Sequence, residues 1–295
     1  MTTLLSRRIP LERGLYAKRF TWHRRRQDHT FSAPLDGAEL EGRGHGNQVT
    51  TLRTHWYNNF FMVKVHLEQV QARIAEAAGR VSRDPSTVRL ICVTKGISVD
   101  RIQEAVACGV AEIGENRVQE AQEKHSALGA WLVPGTQLRW HLIGHLQRNK
   151  VRLAIELFDV IHSVDSLELI EALGRHAGGR EGHPIDLLIQ VNVSGEASKS
   201  GCQPRDAQGL AEAVLRLKGF RLTGLMTMAP LGENPESARV VFRQLRQLRD
   251  DLHKRMNLLL PDLSMGMSQD FEVAVEEGAT MVRIGTAIFG ERAKA

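Results

Sequence analysis

The sequence predicts an α/β fold, a single (β/α)8 TIM barrel. Eight short apolar runs recur between residues 88 and 284, and helical patterns separate them. No phosphate-binding glycine motif follows the first run, as a doubly wound open sheet would normally require. A chain of 295 residues suits one such barrel, and 42% apolar with 25% charged residues excludes wholesale disorder. No stretch approaches the ~18 apolar residues of a membrane span. The three cysteines, Cys92, Cys108 and Cys202, form no CxxC pair, which argues against a disulfide scaffold or a thiolate zinc cage.

The elements follow in order. Val65, Leu67, Val70, Ile74 and Ala77 predict a helix from Met62 that ends at Gly79. Val88 to Val93 is a short continuous apolar run, the signature of a strand buried on both faces, and it ends at Thr94-Lys95-Gly96. Ile102, Ala105 and Val106 then share a helical face. Strand-like runs recur near 110–113, 139–143, 158–163, 186–193, 221–227, 262–267 and 280–284. The clearest helix spans Pro235 to Met256, with Asn234 as its cap and Ala238, Val241, Phe242, Leu245, Leu248 and Leu252 as its buried stripe. Another opens near Ser268 and stops at Gly278.

Residues 1–61 read differently. They contain Arg24-Arg25-Arg26, a Gly-rich run at 42–46 and no sustained period, so a disordered extension is expected, with the barrel over 62–295. This stretch holds ten basic and five acidic residues, whereas 62–295 holds 29 of each. The net charge of +5 therefore belongs to the extension, and the body has no global electrostatic reason to bind nucleic acid. Five acidic residues and no continuous apolar segment argue against a transit or secretory peptide, so a cytoplasmic protein is expected.

Barrel active sites lie at the C-terminal ends of the strands. Two features there carry chemistry. Ser264, Gly266, Ser268, Gly285 and Thr286 cluster after the seventh and eighth strands, where small residues let backbone N–H groups approach an anion. Lys95 ends the first strand, where burial would ease deprotonation of its amine for attack on a carbonyl. A phosphate cradle facing a lysine suits a phosphorylated aldehyde held as a Schiff base, with pyridoxal phosphate the obvious candidate. Taken singly, a strand-end lysine also suits a solvated rim charge and a Ser-Gly-Thr cluster also suits turn chemistry. The HxxxH pair His141 and His145 invites a metal reading, but Gly144 and the strand-like context break the required helix, so no metal is expected. Cys92 faces away from Lys95 by alternation and reads as a packed thiol, and Lys199 as a solvated loop lysine.

The motif words raise the specificity. They are Val93-Thr94-Lys95, Gly114-Glu115-Asn116-Arg117-Val118-Gln119-Glu120 and Trp140-His141-Leu142-Ile143-Gly144-His145-Leu146-Gln147. Asn192-Val193-Ser194-Gly195-Glu196, Lys199-Ser200-Gly201 and Gly224-Leu225-Met226-Thr227-Met228 follow. Ser264-Met265-Gly266-Met267-Ser268, Asp270-Phe271-Glu272 and Arg283-Ile284-Gly285-Thr286 complete the set. In these words residues 62–295 resemble the pyridoxal phosphate homeostasis proteins, which have an alanine racemase N-terminal-domain-like barrel. The resemblance implies pyridoxal 5'-phosphate on Lys95, Arg283 against the pyridine nitrogen, and the phosphate held by Ser268, Gly285 and Thr286 with help from Ser264. It places Asn116 near the ring. It also implies a role in vitamin B6 and amino-acid homeostasis without catalytic turnover, in a monomer or weak dimer that serves apo-enzymes. The alternative is an amino-acid racemase. That chemistry needs an acid/base on each face of the substrate carbon. In the related racemases a tyrosine from a second domain supplies it, whereas Tyr16 and Tyr57 are the only tyrosines here and the chain ends at Ala295, just after the eighth unit.

Overall fold

The computed structural model describes residues 46–132, 136–176, 183–196, 199–230, 232 and 234–291, and of 46–61 only the backbone. The expectation for residues 1–45 lies outside the described residues. Eight parallel strands close into a barrel in sequence order. They are β1 (Arg89–Val93), β2 (Glu112–Glu115), β3 (Arg139–Leu142), β4 (Val160–Val164), β5 (Ile185–Gln190), β6 (Phe220–Met226), β7 (Asp262–Ser264) and β8 (Met281–Ile284). Helices α1 (Gly46–Arg80), α2 (Val99–Ala107), α3 (Val118–Trp131), α4 (Val151–Leu157), α5 (Leu167–Arg175), α6 (Ala207–Val214), α7 (Arg239–Met256), α8 (Phe271–Glu276) and α9 (Thr286–Phe289) alternate with them. Every residue of β4 and β5 is buried, as expected of strands covered on both faces.

The structure departs from the sequence reading most clearly in three places. First, α1 begins at Gly46, inside the stretch expected to lie outside the fold. The apolar spacing of Val63, Leu67, Val70 and Ile74 runs back through Phe60, Trp56, Leu52 and Val49, so the helical period is continuous across Met62. Second, β2 lies two residues later than its apolar run, at 112–115 instead of 110–113. Glu115, its last residue, is fully buried with Lys124 and Thr94, and a buried carboxylate breaks an apolar pattern. Third, the helix after β7 opens at Phe271, not at Ser268. The Met267 N–H donates to the Asp270 carboxylate at 2.6 Å, so a tight turn precedes the helix. The stop is as expected, with Gly278 at φ 97°.

The helix expected from Pro235 opens as a 3-10 turn over Pro235–Ala238, capped by the Asn234 side chain, which accepts from the Glu236 N–H at 2.9 Å, and continues as α7 from Arg239. Of its expected stripe Ala238, Val241, Phe242, Leu245 and Leu252 are buried and Leu248 is half-buried. On α1, Arg73 makes a bidentate pair with Glu272 of α8 at 3.0 and 2.9 Å and lies 4.6 Å above the Phe271 ring. At the N-terminal end of the barrel, Arg89 pairs with Asp262 at 2.5 Å, and Arg139 and Arg221 both reach Asp186. That end is therefore closed by ion pairs. Among the described residues no helix is long and apolar enough to cross a membrane.

Candidate functional site

A cavity of about 740 Å³ opens at the C-terminal ends of the strands. Lys95, Asn116, Ser268, Arg283, Gly285 and Thr286 all line it. Barrel closure explains the meeting of residues so far apart in sequence. β1 pairs with β8, setting Ile91 opposite Arg283 and Cys92 opposite Ile284. Gly285 then passes over Val93, where an added Cβ would stand 3.1 Å from the Val93 carbonyl oxygen. A Cβ on Gly144 would fall 2.3 Å from the Asn116 carbonyl oxygen, so only glycine there lets the Asn116 backbone approach. The Ser268 hydroxyl accepts from the Ala287 N–H at 3.3 Å and ties the loop after β7 to the loop after β8.

Ser264 does not line the cavity. It is fully buried beneath it, where its hydroxyl accepts from Arg283 Nη1 at 2.6 Å. Arg283 Nη2 donates to the Thr227 carbonyl at 2.9 Å. Burial pushes the Arg283 pKa down to about 10, with Asp270 opposing the shift, and the guanidinium stays charged at neutral pH. Asp270 also lines the cavity, and its burial pushes its carboxyl above the ordinary range.

Lys95 is half-buried, and a polar cluster grips the residues on both sides of it. Lys124 Nζ donates to the Thr94 carbonyl at 2.6 Å, to Glu115 at 2.8 Å and to Glu120 at 2.6 Å, which uses all three of its N–H bonds. The Thr94 hydroxyl donates to Glu115 at 2.6 Å and the Gly96 N–H to Glu120 at 2.5 Å. Glu115 and Glu120 stand within a motif word, and no role for either followed from the sequence alone. The available signal was Lys124 four residues after Glu120 on a helix, the spacing of an ion pair.

Below Arg283 the barrel interior holds two histidines. His141 Nδ1 and His162 Nε2 are 2.9 Å apart, and His162 Nδ1 is 2.8 Å from the Ser264 hydroxyl. Burial holds both imidazoles below their ordinary value of 6.5; for His162, the positive potentials of His141, Arg283, Arg89 and Arg139 add to it. The unfolded chain takes up protons at these sites as pH falls through about 6.5, while the folded chain resists. Stability is therefore fully present above that pH and declines below it. The melting temperature is expected to fall between neutral pH and pH 5.5; a flat profile would contradict neutral buried imidazoles.

His145 lies apart from His141, exposed at the cavity rim and 3.8 Å from Asp165. Among the described residues no group of three or more His, Cys, Asp or Glu side chains could hold a metal. Cys92 is in the core with its thiol pKa pushed up by burial. Lys199 is half-buried, 3.4 Å from the Met228 carbonyl and 3.7 Å from Glu196, so it is less solvated than its loop setting suggested.

Fold and lining together define a (β/α)8 barrel with a lysine after β1, an arginine on β8 and small hydroxyl and glycine residues in the last two loops. The family model for the alanine racemase N-terminal domain matches residues 65–293. A pyridoxal phosphate homeostasis protein from Aquifex aeolicus is 44% identical over 226 residues, covering 77% of this chain and 96% of its own. PipY of Synechococcus elongatus, solved with pyridoxal phosphate bound, is 42% identical with a TM-score of 0.64, over 74% of this chain and all of that one. The alanine racemase of Corynebacterium glutamicum, at 17% identity and a TM-score of 0.58 over 79% of this chain and 62% of that one, shares the fold. The chain belongs to the pyridoxal phosphate homeostasis protein family.

Proposed function

We propose that this chain binds pyridoxal 5'-phosphate at the barrel mouth and serves vitamin B6 and amino-acid homeostasis in the cytoplasm, handing the cofactor to apo-enzymes without turning over amino acids. The observation that carries the reading is the convergence of Lys95, Arg283 and the Ser268–Gly285–Thr286 loops on one cavity. The residues fit the group. The cavity has two cations, small residues that leave backbone N–H groups approachable, and ample volume. When bound, the cofactor supplies an aldehyde carbon that condenses with an amine, releasing water, and an aromatic ring that can delocalise charge. Lys95 would be the amine. Ser268, Gly285 and Thr286 would hold the phosphate, and Asn116 would lie beside the ring. Arg283 would face the pyridine nitrogen. A cation that stays protonated there keeps that nitrogen unprotonated, which weakens the ring as an electron sink. Borohydride treatment of the purified protein, followed by peptide mass mapping, should fix a cofactor-sized increment on Lys95; an increment on another lysine would refute the assignment.

The absence of turnover has its own support and test. Among the described residues the titratable groups lining the cavity are Lys95, His145, Asp270 and Arg283, and no tyrosine lies beyond Tyr57 in the sequence. Removing one positioned acid/base typically costs about 10²–10⁴ in rate. The expected result is no protein-dependent α-carbon deuterium exchange or racemisation of L-alanine at rates on the order of 1–10³ s⁻¹, the usual enzyme range. Turnover in that range would favour a racemase. The first 61 residues are proposed to be dispensable for binding, since they carry a separate basic charge and contribute no residue to the described cavity lining. A chain starting at Met62 should match the full chain in melting temperature and cofactor content; a large loss in either would make the upstream segment part of the fold.

A further inference from the structure

A line of polar groups crosses the barrel below the cavity, and cofactor binding as described gives it no task. Glu112 is the first residue of β2, at the N-terminal end of the barrel, where it lines a second cavity of about 380 Å³. Its Oε2 is 3.1 Å from His141 Nε2, off the line of a straight hydrogen bond. From there the line runs through His141 and His162 to Ser264 and ends on Arg283. His141, His162 and Ser264 are completely buried and Arg283 nearly so. Val160, which stands opposite His141 in the β3–β4 pairing, packs with Leu188 and Met226 in a buried apolar cluster. Burying polar groups in such a layer costs free energy unless each finds a partner.

We propose that Glu112, His141, His162 and Ser264 are positioning residues in a one-directional polar chain through the barrel, hydrogen-bonded from Arg283 as far as His141 and ended by the charge of Glu112, which holds Arg283 from below and fixes how its guanidinium faces the cavity. The direction follows from the partners at the two ends. A bare Nε2 would set its lone pair 3.1 Å from the Glu112 carboxylate oxygen, so His141 Nε2 carries a proton on the side of that anion. With His141 neutral, its Nδ1 is bare and accepts from His162 Nε2–H. His162 Nδ1 is then bare as well and accepts the Ser264 hydroxyl proton. The Ser264 oxygen accepts from Arg283, which can only donate. Each link therefore points from Arg283 toward Glu112. Burial opposes ionisation of Glu112, but His141, Arg89 and Arg139 outweigh it and hold the carboxyl below its ordinary value. The chain thus joins a cation at the mouth to an anion at the far end, an arrangement in which successive hydrogen bonds polarise one another. Two N–H bonds of Arg283, to Ser264 and Thr227, are aimed downward and sideways, and this sets where the rest of the planar fork can point.

The effect on ligand binding rests on the cofactor reading above, but the proton positions do not, so the test has two arms. In the first, ¹⁵N NMR of the histidines in the unmodified protein at neutral pH, with no cofactor added, is expected to show His141 and His162 neutral and protonated at Nε2. A Nδ1-protonated or doubly protonated form of either would overturn the chain. In the second, His162→Leu is expected to weaken pyridoxal phosphate binding by about tenfold, the scale of a hydrogen bond to a charged group, and to shift the absorbance of the bound cofactor. His162→Gln, which can both accept from Ser264 and donate to His141, should restore both. A folded His162→Leu protein with unchanged affinity and spectrum would overturn the positioning role even where the tautomers are as expected. If His162→Leu does not fold, Ser264→Ala replaces it: weakened pyridoxal phosphate binding with a shifted absorbance of the bound cofactor supports the positioning role, and unchanged affinity and spectrum overturn it. Loss of the borohydride increment at Lys95 in the unmodified protein would instead count against the cofactor reading alone.

Discussion

Lys95→Ala is expected to abolish covalent attachment of pyridoxal phosphate and leave the barrel folded. The substitution removes the amine placed after β1 on the cavity wall, and among the described residues no other lysine lines that cavity. Lys95 is half-buried at the rim and contributes nothing to the apolar core, so the unfolding midpoint should move little. Ser268, Gly285, Thr286 and Arg283 remain, and weak noncovalent binding should survive through them. The measurement is visible absorbance of protein mixed with the cofactor, with mass analysis after borohydride. A covalent increment that persists would place the attachment elsewhere, and a protein that fails to fold would show Lys95 to be structural.

Lys124→Met carries the largest expected stability effect. Lys124 is nearly buried, Glu115 is fully buried and Glu120 partly so. Methionine leaves the Glu115 carboxylate buried without its cation, and breaking a buried pair in this way costs about 3–5 kcal/mol. It also frees the Thr94 carbonyl and the Gly96 segment, so cofactor binding at Lys95 should weaken along with stability. Urea unfolding measures the first effect and cofactor titration the second. The double variant Lys124→Met with Glu115→Leu removes both charges and should recover much of the stability, because an apolar replacement of a buried ion pair is often near neutral. A single variant that unfolds with the parent would show that the cluster contributes no net stability.

The fold was legible because a barrel repeats one pattern eight times. Each buried parallel strand writes a short apolar run, and a shift of two residues at β2 does not disturb the count. The mouth was legible for a related reason. The cavity opens where strands end, so knowing the strands locates Lys95 and Gly285 on its wall, while Asn116 and Arg283 were singled out only through the family resemblance. The supporting groups were not. Glu115 and Lys124 meet only because α3 folds back over the end of β2, and a period analysis scores both as surface charges. His141 and His162 lie 21 residues apart and become neighbours only when β3 pairs with β4. Their sequence signature was the pair of metal-like spacing at His141 and His145, which points to the wrong partner. The start of α1 was missed for a simpler reason. Basic residues and a glycine-rich run drew one boundary around two unlike segments.

The β1–β8 pairing has a consequence for biosynthesis. Lys95 is supplied by the first strand to leave the ribosome and Arg283, Gly285 and Thr286 by the last, so the two halves of the cavity meet only at ring closure. Until β8 is in place, both flanking strands present open edges and the nascent chain has no complete ligand site. Whatever occupies the mouth binds the closed ring and not the open precursor, and by mass action it favours closure by RT ln(1 + [L]/Kd). Ligand supply during synthesis would thus raise the yield of closed chains, and cells short of the ligand would hold more of this polypeptide in a form exposed to proteases.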